Sequence, residues 1–163
     1  MASALIALGG NVGDVRATFK QAIAQICEPA RTRLLARSSD YSTPPWREEQ
    51  QPRFVNAAIE IETSLDPHAL LVVLQTTERK FGRDRANERR WGPRPLDLDL
   101  IAYDDVSLQT PPLTLPHPRL FERAFVLLPL AEIAPDRLIG GRRVTDALAS
   151  LSSHGIERLP DLD

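Results

Sequence analysis

Two aspartates, Asp97 and Asp99, alternate with Leu96, Leu98 and Leu100 in "RRWGPRPLDLDLIAY", directly after a stretch crowded with arginine. Side chains alternate along a strand, so an extended backbone sends the leucines to one side and both carboxylates to the other. Two residues of strand span about 6.6 Å, which makes the carboxylates neighbours. Aspartate is a poor strand former and adjacent like charges repel, so the pair needs compensation. A divalent cation would supply it, since Mg²⁺ is commonly held by one or two carboxylates plus substrate phosphates, and paired ions serve phosphoryl transfer. Taken alone, "LDLDL" also reads as a solvent-facing strand edge with two acidic gatekeepers. The preceding "GRDRANERRWGPR" alters that balance, because it sets Arg83, Arg85, Arg89, Arg90 and Arg94 against only Asp84 and Glu88. Guanidinium forks beside a metal-binding acidic pair suit a nucleoside triphosphate: ions neutralise part of the phosphate charge and arginines hold the remaining oxygens.

Other motifs are weaker. "LGGNVGD" follows a strand and precedes a helix, but it completes neither G-x-x-x-x-G-K-[ST] nor G-x-G-x-x-G, and a turn with a helix cap explains it better. "YSTPPW" is a rigid turn that could also present backbone groups to the edge of a flat heterocycle. His117 in "LPHPRL" has no histidine or cysteine at metal spacing beside it, so no zinc site is expected.

The elements that must position these residues follow from periodicity. "ALIALGG" reads as a buried strand and "NVGDVRATFKQAIAQICEP" as a helix with Phe19, Ala22, Ile23, Ile26 and Cys27 on one face, stopped by Pro29. "RLLARSSDYST" is expected to be one second strand. "RFVNAAIEIETS" alternates, with Val55, Ala57, Ile59 and Ile61 opposite Phe54, Asn56, Ala58 and Glu60. Asp66 as N-cap and Pro67 at the first helical position start a second helix, with Leu70, Leu71, Leu74 and Phe81 as its stripe and Gly82 at its end. "LDLDLIAY" is a fourth strand, followed by a small hairpin at "DDVSL" and helices in "RAFVLLPLAEI" and "VTDALASL". The order β-α-β-β-α-β with helical additions predicts an α+β fold of the ferredoxin-like split βαβ kind, a sandwich with extra C-terminal helices. Its helices should lie on one face of the sheet, leaving the other free for ligands.

With 163 residues, 42% hydrophobic and 26% charged, the chain reads as a single domain spanning residues 1–163 with a full core. Net charge is −2, so an anionic ligand must be drawn by local clustering rather than by the whole molecule's field. Cys27 is the only cysteine, which excludes an internal disulfide and favours a reducing compartment, the cytoplasm. The amino terminus lacks a basic signal-peptide region, and no segment reaches the roughly 18 apolar residues of a membrane span.

Taken in order, "STPPW", "RFVNAAIEIET", "GRDR", "RRWGPRPLDLDLIAY" and "LTLPHPRLFERAF" make the chain resemble the 6-hydroxymethyl-7,8-dihydropterin pyrophosphokinases of folate biosynthesis, over some four fifths of its length. The resemblance implies that ATP, as co-substrate, gives its terminal two phosphates as one unit to the pterin hydroxymethyl oxygen, leaving AMP. Asp97 and Asp99 would hold two Mg²⁺ ions, and with Arg83 and Arg94 would form the catalytic group. Arg83, Arg94 and Arg123 would surround the triphosphate, with Arg85 and one of Arg89 or Arg90 as mobile loop arginines and Glu78, Trp91, Leu100, Ile101, Thr114 and His117 on the nucleotide side. Thr43, Pro44, Pro45, Trp46 and Asn56 would read the pterin edge, while Phe54 and Phe125 sandwich its ring. Phe54 stands where family members have tyrosine, Pro118 and Pro112 replace an aromatic and a basic residue, and the loop from Arg85 to Trp91 is one residue longer. Proton removal from the acceptor hydroxyl falls either to Asp97 or to metal coordination. The implied partners are two small molecules, ATP and the pterin, with no nucleic acid and no membrane, and the implied state is a monomer.

Two other classes fit the element order. RNA-recognition modules share it, but they want a basic sheet face with stacking aromatics, which the two aspartates oppose. A different Mg²⁺-dependent nucleotide enzyme would differ in not needing the pterin. The polar loops "PPWREEQQPR" and "GRDRANERRW" flank the expected site and are expected to close over its ligands.

Overall fold

The computed structural model describes residues 1–28, 31–45, 50–83 and 93–162. Trp46, Arg85, Arg89, Arg90 and Trp91 lie outside the described residues, as do Pro29 and parts of the two polar loops.

The chain runs β1 (Ala2–Gly10), α1 (Val15–Ile26), β2 (Thr32–Arg37), β3 (Tyr41–Thr43), β4 (Phe54–Thr63), α2 (Pro67–Lys80) and β5 (Asp97–Tyr103). Then come β6 (Leu108–Gln109), β7 (Thr114–Leu115), α3 (Ala124–Ile133), β8 (Leu138–Ile139), β9 (Arg142–Arg143), α4 (Val144–Ala149) and β10 (Glu157–Arg158). The result is a mixed α/β fold with an antiparallel main sheet and four α-helices among the described residues. The main sheet runs β10-β3-β4-β1-β5, and β2 also pairs with β4.

The helices form where local signals place them. The Asp14 carboxylate accepts from the Ala17 N–H and caps α1, while the Asp66 carboxylate accepts from the Ala69 N–H and caps α2. Gly82, at φ +94°, ends the second helix in a conformation that favours glycine, just after Arg79 and Lys80 complement the helix dipole. Phe19, Ile23, Ile26, Leu70 and Leu74 meet Ile6, Leu8, Ile59, Ile61, Leu98 and Leu100 in one core. Full burial of a side chain the size of Phe19 contributes about 1.5–3 kcal/mol.

Three expectations need correction. The "RLLARSSDYST" stretch is two strands: at Ser38–Asp40 the chain leaves β2 and re-enters as β3, and both pair with β4. The break is held by side chains: the Ser38 hydroxyl donates to the Ser39 carbonyl and accepts from the Ala58 N–H, and Glu132 accepts from the Ser39 N–H and the Tyr41 hydroxyl. The hairpin after β5 lies further along, joining β6 to β7. Helices cover both sheet faces. Val126, Leu127, Leu130, Val144 and Ala147 of α3 and α4 pack on Leu5, Ala58, Ile101 and Ala102 in a second core. β1 therefore serves two cores, sending Ala4, Ile6 and Leu8 one way and Leu5 and Ala7 the other. The second face is open beside the start of α3.

Candidate active site

That opening is built by register. β1 pairs antiparallel with β4 and β5, which aligns Asn56, Gly9 and Asp97 in one row and Ala58, Ala7 and Asp99 in the next. Strands lie about 4.8 Å apart, so the outer members of each row stand about 10 Å from one another across the small residues of β1. Gly9 and Ala7 make the floor low; β4 and β5 make its walls. A cavity of about 300 Å³ fills the trough, closed at one end by Thr43 and Pro44 and roofed by Phe125 and Val126 at the start of α3.

Each wall has its own chemistry. On the β4 side, Phe54 offers a ring and Asn56 an amide whose Nδ2 donates to Thr43 Oγ1 at 2.8 Å. The Nδ2 engagement leaves Oδ1 as the acceptor on the Gly9 side, where a Cβ on Gly9 would lie 2.8 Å from it. On the β5 side, Asp97 and Asp99 share the cavity with Arg94, Arg119 and Arg123. Burial first, and then the neighbouring Asp97 charge, push the Asp99 carboxyl up to about 7, although Arg123 and Arg83 pull it down. A carboxylate held so reluctantly next to another is a site that gains from a cation.

Behind this wall runs a buried network. Glu78 Oε2 accepts from Arg83 Nη1 at 2.7 Å and from the Leu98 N–H at 2.8 Å, and the same Arg83 Nη1 donates to Asp97 Oδ1 at 2.5 Å. Glu78 and Arg83 are 1% and 5% exposed, so they hold Asp97 from beneath and do not line the cavity. Among the described residues no cluster of three or more His, Cys, Asp or Glu could cage a metal. Two carboxylates with open space before them match Mg²⁺, which takes its remaining ligands from substrate phosphates and water.

A model of the 7,8-dihydro-6-hydroxymethylpterin-pyrophosphokinase (HPPK) family matches residues 5–135. The chain belongs to this family. It is accordingly an ATP-dependent pyrophosphokinase, as the "RWGPRPLDLDL" resemblance implied. It is 48% identical over 98% of its length to the 2-amino-4-hydroxy-6-hydroxymethyldihydropteridine pyrophosphokinase of Methylorubrum extorquens, covering 99% of that protein. It is 43% identical to the Pseudomonas aeruginosa protein of the same name, over 95% of each chain. Its fold resembles a crystal structure of an HPPK-DHPS in complex with substrates, with a TM-score of 0.70 at 14% identity, over 91% of this chain and 43% of that one. The chain thus spans less than half the length of that two-part protein.

Against the HPPK site expected from sequence, the cavity gathers Arg94, Asp97, Asp99, Thr43, Pro44, Phe54, Asn56, Phe125 and Arg123. Pro45 lines a neighbouring cavity of about 270 Å³. The side chains of Leu100 and Ile101 are buried in the first and second cores, so only their backbone can face a ligand. Thr114 lies in β7 opposite Gln109. His117 is half-buried; burial, followed by the charge of Arg123, pushes its imidazole down to about 4, so the ring is neutral at pH 7. Its Nδ1 accepts from the Arg119 N–H at 3.2 Å, which leaves the proton on Nε2.

Arg119, Gly9 and Ala7 line the cavity and were not singled out from sequence. Arg119 sits two residues after His117 in "LPHPRL", a signal within reach. Gly9 and Ala7 give no such signal, since a small residue in a strand reveals its purpose only through its neighbours. Among the described residues no helix is long and apolar enough to cross a membrane.

Proposed function

We propose that this chain catalyses Mg²⁺-dependent transfer of the terminal diphosphate of ATP to the hydroxymethyl oxygen of 6-hydroxymethyl-7,8-dihydropterin, a step of tetrahydrofolate biosynthesis. The bond between the α-phosphorus side and the β-phosphorus of ATP breaks, an oxygen–phosphorus bond to the pterin forms, the hydroxyl proton leaves, and AMP departs. The observation that carries this reading is the facing of the Asn56–Phe54 wall and the Asp97–Asp99 wall across one trough of about 300 Å³. Phe54 and Phe125 stack on the bicyclic ring, and Asn56 Oδ1 accepts from an N–H of its edge. Arg94, Arg123 and Arg119 hold phosphate oxygens, joined by Arg85 and one of Arg89 or Arg90. Two Mg²⁺ ions bound by Asp97 and Asp99, when present, supply charge neutralisation on the transferred group. Catalysis here is positioning plus charge stabilisation, with no protein nucleophile required.

The same reading takes residues 1–163 as one domain acting as a monomer in the cytoplasm on two small-molecule substrates. It also takes the fold as ferredoxin-like, which is supported by the placing of β1 between β4 and β5 and of β2 and β3 beyond β4.

Incubation with ATP, Mg²⁺ and the reduced hydroxymethylpterin is expected to yield AMP and a diphosphorylated pterin in equal amounts, resolved by chromatography and mass spectrometry. ADP as product, or ATP consumption independent of the pterin, would overturn the assignment. Gly9→Ala pushes a methyl group against the Asn56 amide, so the KM for the pterin should rise about tenfold, roughly the effect of one displaced hydrogen bond, with the KM for ATP unchanged. A pterin KM equal to wild type would remove Asn56 from ring recognition.

A further inference from the structure

The "LGGN" motif left one residue without a task. Asn11, 4% exposed at the end of β1, makes hydrogen bonds to segments on both sides of the cavity. Its backbone N–H donates to the Arg94 carbonyl at 2.8 Å, and its Oδ1 accepts from the Arg94 N–H at 2.8 Å. Its Nδ2 donates to Gln51 Oε1 at 2.8 Å and to the Pro52 carbonyl at 3.0 Å. The Arg94 N–H can only donate and the Pro52 carbonyl can only accept, so the orientation of the Asn11 amide is dictated by its partners. Next to it, Gly10 lets the following segment approach: a Cβ there would stand 2.7 Å from the Pro95 carbonyl oxygen.

We propose that Asn11 is a positioning residue that couples the two halves of the active site. Arg94 belongs to the phosphate-holding wall, and Pro52 lies two residues before Phe54 on the ring-stacking wall. One buried amide spans both, and no other side-chain type supplies an acceptor and two donors in so short a reach except glutamine, which is one methylene longer. A ligand that orders either segment therefore prepares the other, which is positive coupling between ATP and pterin binding. The inference rests on the two substrates proposed above.

Asn11→Asp keeps an oxygen for the Arg94 N–H but faces the Pro52 carbonyl with a second acceptor. Asn11→Ala removes both sides. Hydrogen exchange in the ligand-free protein should show faster exchange over residues 50–53 in both variants, and at the Arg94 amide only in Asn11→Ala. Calorimetry with a non-hydrolysable ATP analogue, with and without the pterin, should show the wild-type coupling, about fivefold or more, falling toward one in Asn11→Asp. In turnover, the KM of each substrate should rise more than kcat falls. Wild-type coupling in Asn11→Asp, or an Arg94 amide equally protected in Asn11→Ala, would overturn the proposal. If Asn11→Ala does not fold, the aspartate variant decides alone. Should the wild type make no AMP with the pterin, the assigned reaction is wrong, while the ligand-free exchange pattern still decides whether Asn11 joins the two segments.

Discussion

Asp99→Asn is expected to lower kcat by a factor of about 10²–10³, the range for removing one preorganised electrostatic anchor, while leaving the protein at least as stable as wild type. The two halves of that expectation have one cause. Asp99 is half-buried beside Asp97, and burial followed by that neighbouring charge already drives its carboxyl up to about 7. Neutralising it relieves repulsion in the free protein and, under the proposed function, removes a ligand to Mg²⁺. Asp97→Ala should lose activity to the same degree but with some loss of stability, because Asp97 also accepts from Arg83. Steady-state AMP formation across a Mg²⁺ titration, with thermal melts of each variant, checks both. Full activity of Asp99→Asn at saturating Mg²⁺ would take that residue out of the metal role.

The largest effect on stability is expected from Glu78→Ala. Glu78 and Arg83 have side chains each 2% exposed, and Glu78 Oε2 serves both the Arg83 guanidinium and the Leu98 N–H. Breaking a buried ion pair commonly costs about 3–5 kcal/mol. The lower end, about 3 kcal/mol, applies here because Asp97 still faces Arg83. For a domain of this size that corresponds to a Tm lower by about 6–12 °C. Glu78→Gln keeps an acceptor for the Leu98 N–H and should lose less. Turnover should fall in both, since Arg83 would no longer be held under Asp97. A Glu78→Ala melt within about 2 °C of wild type would show that the network adds little to the fold.

Both expectations concern residues the sequence marked, but it marked them unequally. Asp97 and Asp99 were legible because strand alternation acts over two residues, and a charged pair opposite three leucines is visible wherever the strand sits. The same rule placed Phe54 with Asn56. Glu78 was visible only through family resemblance: in sequence it is a lone acidic residue near the end of a helix, and what makes it structural is burial against β5, twenty residues further along the chain. Arg83 stood out in the arginine run and, by resemblance, in the catalytic group; that its guanidinium lies beneath the cavity wall between Glu78 and Asp97 was not legible from either.

Composition and spacing by themselves determined the types of the main elements, a capped turn before the first helix, the cap at Asp66, the stop at Gly82, and the chemistry of the strands that carry Asn56 and Asp97. Tertiary structure alone decided that Asn56, Gly9 and Asp97 share a row, that α3 and α4 cover part of the second sheet face, and that Asn11 meets both flanking segments. The physical reason is range. Alternation, capping and glycine conformations act within a few residues, so they are written locally. Register and face coverage depend on which distant apolar surfaces leave water together, and that choice exists only once the whole chain has packed.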